Sequence, residues 1–200
     1  MRSGETADSI AVNEVIKDLK GLYPAQDEEN EAHMLQLYGA MVEAVVNVVR
    51  HAYPQNVEWE HQHINRWWMT GAVDKNKRWM TAVVFDQGVS IPVSLPKWER
   101  YAGLLRRLSA RMGIVPAAND PKSDGYAIAA AVEEAVSSTE ESHRGKGFAQ
   151  MREFLENCRE GHLRIMSRFG EVVLYPNGEP AIRSHSAPVG GTLIEWSVVL

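Results

Sequence analysis

The chain has 200 residues, enough for one domain with a sizeable core, and its 44% hydrophobic and 24% charged residues exclude collagen-like, coiled-coil and wholly disordered classes. Twenty-one Lys and Arg against 26 Asp and Glu leave a formal charge of -5, so the overall field attracts neither nucleic acid nor anionic membrane, and any phosphate site has to be local. A single cysteine, Cys158, excludes an intrachain disulfide and a cysteine-rich zinc site; with no basic-then-apolar leader and no apolar run near ~18 residues, the expectation is a soluble cytoplasmic protein.

In chain order, Ile10, Val15, Leu19 and Leu22 predict a short amphipathic helix over residues 9–23. A longer helix is predicted over 29–53, where Met34, Leu37, Met41, Val45, Val48 and Ala52 recur at three and four and Pro54 stops the run. The aromatic and β-branched stretches WWMTGAV and RWMTAVVF, separated by Asp74 to Lys77, read as a hairpin that leaves Asp86 at a strand end. A Gly and Pro loop over 87–96 leads into a helical pattern that ends near Gly113. An irregular stretch follows, then a helix over Tyr126 to Val136, a polar run SSTEESHRGKG, and a helix from near Phe148 to Glu156. HLRIMSR, EVVLY and TLIEWSVVL read as three final strands, with Asn177 and Gly178 between the second and third. No repeat of ~20–50 residues is present. The order predicts an α/β two-layer sandwich, a mixed, mostly antiparallel sheet with helices on one face.

Four short patterns carry chemistry. Glu43, Asn47 and His51 lie four apart on the long helix, and Asn is an unusual choice between Val46 and Val48 in a helix interior. Taken alone, such a stripe is also what a solvated face looks like. Asp86 with Gly88 in DQGVSIP combines an acceptor-only carboxylate with a residue that lets backbone come close; an ordinary strand-end turn has the same pattern. In RGKGF, Gly145 and Gly147 flank Lys146 just before a helix, where free N–H groups favour an anion, although the full P-loop pattern is missing. Gly190 and Gly191 precede Thr192 at the start of the last strand, and this motif says little by itself.

In this order and spacing, EAVVNVVRHA, DQGVSIP, RGKGF and GGTLIEWSV resemble the four nucleotide-binding boxes of the GHKL superfamily of ATPases and kinases, over residues ~31 to 200. The resemblance implies the Bergerat fold for 29–200, with 1–28 as an N-terminal helix or extension and about 93–144 as a lid. It implies ATP and Mg²⁺ as cofactors, with Asn47 on the metal and Glu43 as general base. Arg50 falls near the phosphates, and His51 is expected to be structural. Asp86 would accept from the adenine amino group, Thr192 would support the base, Gly145, Lys146 and Gly147 would cradle the phosphates, and Gly88 would be a further nucleotide-binding position. One departure stands out: Ser90 occupies the position of the second glycine of the usual Asp-x-Gly-x-Gly.

The chain is expected to lack the phosphoacceptor hairpin of a sensor kinase and the transducer domain of gyrase-like relatives. What remains is a stand-alone module similar to anti-sigma-factor serine kinases. It would hydrolyse ATP or transfer its γ-phosphate to a regulatory partner, STAS-like or sigma-factor-like, with a homodimer as an open option. The alternatives are a non-catalytic, ATP-dependent switch, or an interaction module that binds a regulatory partner and has lost nucleotide binding, for which Ser90 is the hint. Trp67, Trp68 and Trp79 fit either core packing or a partner surface, His61 with His63 either a strand face or two metal ligands, and Cys158 a small core position.

Overall fold

The computed structural model describes residues 1–24, 28–57, 59, 62–95, 103, 106, 109–110, 120–137 and 146–200. The helix expected to end near Gly113, most of the lid, Gly145 and His61 lie outside or largely outside the described residues.

Five strands form one open sheet: β1 (Arg2–Gly4), β2 (Trp67–Asp74), β3 (Trp79–Asp86), β4 (Glu160–Leu174) and β5 (Ala181–Val199), in the order β1-β2-β3-β5-β4. Every pairing among them is antiparallel, so the mixed sheet expected from the sequence resolves to an all-antiparallel one. Helices α1 (Ser9–Leu22), α2 (Glu28–Asn47), α3 (Ile91–Ser94), α4 (Asp124–Ser137) and α5 (Lys146–Asn157) accompany it. Alternation places Met69, Met80, Ala82, Val84, Leu163, Ile165, Ile194, Trp196 and Val198 in one core with residues of α1, α2, α4 and α5. The opposite face carries the half-buried Trp68, Val83, Phe85 and Leu193. The architecture is thus an α/β sandwich of a helical layer on an antiparallel sheet.

Asp8 caps α1 by accepting from the N–H groups of Ile10 (2.9 Å) and Ala11 (3.1 Å). Its buried stripe is Val12, Val15, Ile16 and Leu19, a clean i, i+3, i+4, i+7 set. Ile10 and Leu22, expected on that stripe, lie off it and are 72% and 44% exposed. Residues 2–22, set apart in the sequence as an extension, contribute β1 to the sheet and this stripe to the common core. Helix α2 buries Met34, Leu37, Met41 and Val45 as its spacing predicts. The helical run continues to Ala52 and meets the length and hydropathy of a membrane span, yet much of its apolar side is part of the core.

The two strands expected at HLRIMSR and EVVLY are one strand, β4. A bulge at Arg168 (φ 54°) keeps the chain in the sheet, and Asp124 at the start of α4 holds it by accepting from Phe169 N–H and Arg168 Nε (3.1 Å each). Trp67 is in the core and donates to the Thr6 carbonyl (2.8 Å), whereas Trp68 and Trp79 are only half-buried. Cys158 is buried, and burial pushes its thiol up to about 12, as suits a small core residue.

Candidate functional site

Two of the four patterns meet between α2 and α5. The helices run antiparallel: His33 near the start of α2 bonds the Asn157 carbonyl at the end of α5 (2.8 Å), and the end of α2 meets the start of α5. There Gly147 is buried against the side chains of Glu43 and Asn47. A Cβ on it would lie 3.0 Å from Asn47 Nδ2, 3.2 Å from Glu43 Oε2 and 3.7 Å from Asn47 Oδ1. A side chain here would make these two polar groups give by a few tenths of an ångström; with glycine they lie undisturbed beside the first turn of α5, whose free N–H groups and dipole favour an anion. Asn47 is also the last α-helical residue. The next five, Val48–Ala52, form a π-turn, a widening often found at functional sites.

The other two patterns meet across the sheet. Asp86 ends β3 and pairs with Thr192 of β5. It is only 5% exposed, and its Oδ1 accepts from Gly88 N–H (2.7 Å). The Thr192 N–H also donates to the carboxylate; burial nevertheless outweighs both bonds and pushes its pKa up to about 7. Gly191, with φ +104°, makes this approach possible. A Cβ there would overlap the Asp86 carbonyl oxygen and lie 2.6 Å from the Asp86 carbonyl carbon. The result is a buried acceptor at a strand end.

The loop between these pairs is tied to α2. Val89 N–H donates to the Ala52 carbonyl (2.9 Å), and Gly88 sits against Ala52. The Tyr53 hydroxyl donates to the Arg66 carbonyl (2.7 Å) and accepts from Gln87 N–H (3.0 Å), joining the end of the helical run to β2 and to the residue after Asp86. Ser90 has φ 74° and ψ 153°, in a region that only glycine adopts without strain. The backbone at this position thus has a shape suited to glycine, while the chain carries a serine. Ser90→Gly is expected to stabilise the protein by about 1 kcal/mol, the strain relieved less glycine's added chain entropy. For a chain of this length that is a rise in Tm of roughly 2–4 °C. A calorimetric scan showing no rise, or a fall, would count against strain at Ser90.

The remaining residues gather less tightly. Arg50 and His51 lie in the π-turn with exposed side chains. Lys146 is the first residue of α5, and Gly145 lies outside the described residues. Among the described residues no cluster of three or more His, Cys, Asp or Glu could hold a metal, so an ion here would rest on the Asn47 amide oxygen and on its ligand's own oxygens. His63 stacks on Trp59 at 3.6 Å between ring centroids. A cleft of about 280 Å³, lined by residues such as Glu5, Val48, Tyr53 and Arg66, borders this region on the Tyr53 side, and neither Asn47 nor Asp86 lines it.

Sequence reasoning missed Ser167 and Tyr53. Ser167 had a signal: in β4 the inward positions run Leu163, Ile165, Ser167, a hydroxyl where the alternation calls for an apolar side chain. No protein-family model matches the chain, and no curated protein or solved structure is detectably similar to it.

Proposed function

We propose that the chain is a Mg²⁺-ATP-binding regulatory protein of the GHKL type with a Bergerat fold, which hydrolyses ATP or hands its γ-phosphate to a partner protein in the cytoplasm. The observation that carries this reading is the contact of Gly147 with Glu43 and Asn47, which brings an acid, an amide oxygen and a helix N-terminus to one point from segments far apart in sequence.

The donor set fits the ion. Mg²⁺ prefers oxygen ligands and keeps several waters, so one amide oxygen from Asn47 together with phosphate oxygens is sufficient. When bound, it supplies positive charge to the β- and γ-phosphate oxygens. Glu43 accepts the proton of the attacking water or hydroxyl at its carboxylate. Gly147 and the free N–H groups of the first turn of α5 hold the phosphates, with Gly145 and Lys146 beside them. Asp86, at the far end of β3, accepts from an amino group on the base, and Thr192 lies next to it. Gly88 keeps the loop against Ala52, and Arg50 adds local positive charge. The partner is a regulatory protein, STAS-like or sigma-factor-like.

Titration calorimetry with ATP, with and without Mg²⁺, tests binding, and phosphate release with and without candidate partners tests turnover. Glu43→Ala is expected to keep ATP affinity within about threefold and to lower turnover by about 10²-fold or more. Absence of ATP binding in the presence of Mg²⁺ would overturn the reading. Binding without turnover, with partner regulation surviving Glu43→Ala, would establish the non-catalytic switch instead.

A further inference from the structure

Ser167 is fully buried at the point where β4, β5 and the loop before α3 converge. Its hydroxyl accepts from Ile91 N–H (2.9 Å), donates to the Gly191 carbonyl (3.2 Å) and lies 2.9 Å from the Thr192 hydroxyl. A serine has one proton and two lone pairs. The Gly191 carbonyl can only accept and the Ile91 N–H can only donate. One assignment satisfies every group: the Ser167 proton goes to Gly191, and the Thr192 proton goes to Ser167. The reverse sense would leave the Gly191 carbonyl without this donor, at a cost typical of an unmade buried bond.

We infer that Ser167 is a positioning residue that holds the Thr192 proton, so that Thr192 and Asp86 face the ligand as two acceptors and select a base edge bearing an amino group over one bearing an oxo group. This rests on the nucleotide reading above and adds to it the residue that sets the hydrogen-bond polarity of Thr192. Asp86 alone already disfavours an oxo group. With its proton engaged, Thr192 cannot turn to donate and rescue such a ligand, because the proton would have to leave a buried acceptor. Ser167 also joins the first residue of α3, next to the strained Ser90, to the strand bearing Thr192.

The experiment measures dissociation constants of Mg-ATP and Mg-ITP, in which the 6-amino group and bare N1 of adenine become a 6-oxo group and an N1–H, for the full chain at about pH 8, where Asp86 is ionised. The wild-type protein is expected to prefer ATP by about 30-fold or more. Ser167→Ala frees the Thr192 proton and should narrow that preference by about 5- to 10-fold, chiefly by improving ITP. Thr192→Val should leave a ratio that Ser167→Ala no longer changes when the two are combined, since the second change then has no proton to release. Should Ser167→Ala fail to fold, Ser167→Cys keeps the volume with a weak donor and acceptor and is expected to narrow the ratio in the same direction. An unchanged ratio, with both nucleotides weakened equally, would overturn the inference while leaving the nucleotide reading standing. Failure of the wild-type protein to bind either nucleotide would overturn both.

Discussion

Gly191→Ala is expected to be the most damaging single substitution in the described structure. At φ +104° an L-residue is strained by about 1–3 kcal/mol. The new methyl would also overlap the Asp86 carbonyl oxygen and approach Gln87 Cα to 2.7 Å. These neighbours are backbone of a central strand, so nothing flexible can yield, and overpacking adds about 1–3 kcal/mol more. The expected loss is about 4 kcal/mol, a large fraction of the stability of an ordinary domain. Denaturant melts of the variant would show it as a much lower midpoint or as loss of the cooperative transition. By contrast, Gly190 has open space where its Cβ would be, and Gly190→Ala is the matched control. Equal midpoints for the two variants would mean that the close approach of β5 to Asp86 does not exist.

A second large effect comes from the Asp86 carboxyl itself. Its pKa in the folded protein is about 7, against an ordinary value of 3.8 in the unfolded chain. The folded state therefore binds the proton more tightly, and the unfolded state releases it first as pH rises. Stability tied to this group is full below about pH 4 and is lost as pH climbs through about 7, by about 1.4 kcal/mol per unit and about 4 kcal/mol in all. Asp86→Asn removes that slope. Its carbonyl oxygen can still accept from Gly88 N–H, whereas its amide has no ionised form to desolvate. The stability difference between Asp86→Asn and the wild type is expected to grow in favour of the variant across that window, while nucleotide affinity falls. Denaturation curves of the two proteins from about pH 4 to 8 that stay parallel would refute the shift. The wild-type carboxylate is thus costly in the free protein, and a ligand that donates to it recovers part of that cost through binding.

The legible parts of the fold were those in which local pattern and tertiary role agree. Helix α2 followed from apolar residues at three and four, and the β2–β3 hairpin from alternation around Asp74 to Lys77, because a helix or hairpin core face is repeated in the local sequence. Strand β1 was missed because its three residues join the sheet through backbone pairing, with Gly4 seated against Trp67. The division of β4 into two strands arose from Phe169 and Gly170, which look like a break, while the ties from Asp124 that hold the bulge come from a distant helix. The candidate site was legible as four separate patterns and not as a geometry. No periodicity reports that Gly147 reaches Asn47 or that Asp86 pairs with Thr192, since both are encounters between remote segments. Ser90 is intermediate: the departure from glycine was visible, and the positive φ shows that the backbone did not follow it.

The place of β5 in the sheet has a consequence for how the molecule is made. It is the last described element in chain order, yet it lies between β3 and β4, whereas β1, β2 and β3 follow one another at the other side. A growing polypeptide can close the β2–β3 hairpin early. It must then hold the backbone edge of β3 unpaired until residues 192–198 arrive to pair with it. Such remote pairing is slow and leaves a sticky edge in the meantime. Asp86 receives the Thr192 N–H only in that closing step, so the surroundings of this buried carboxyl are completed as the sheet zips shut.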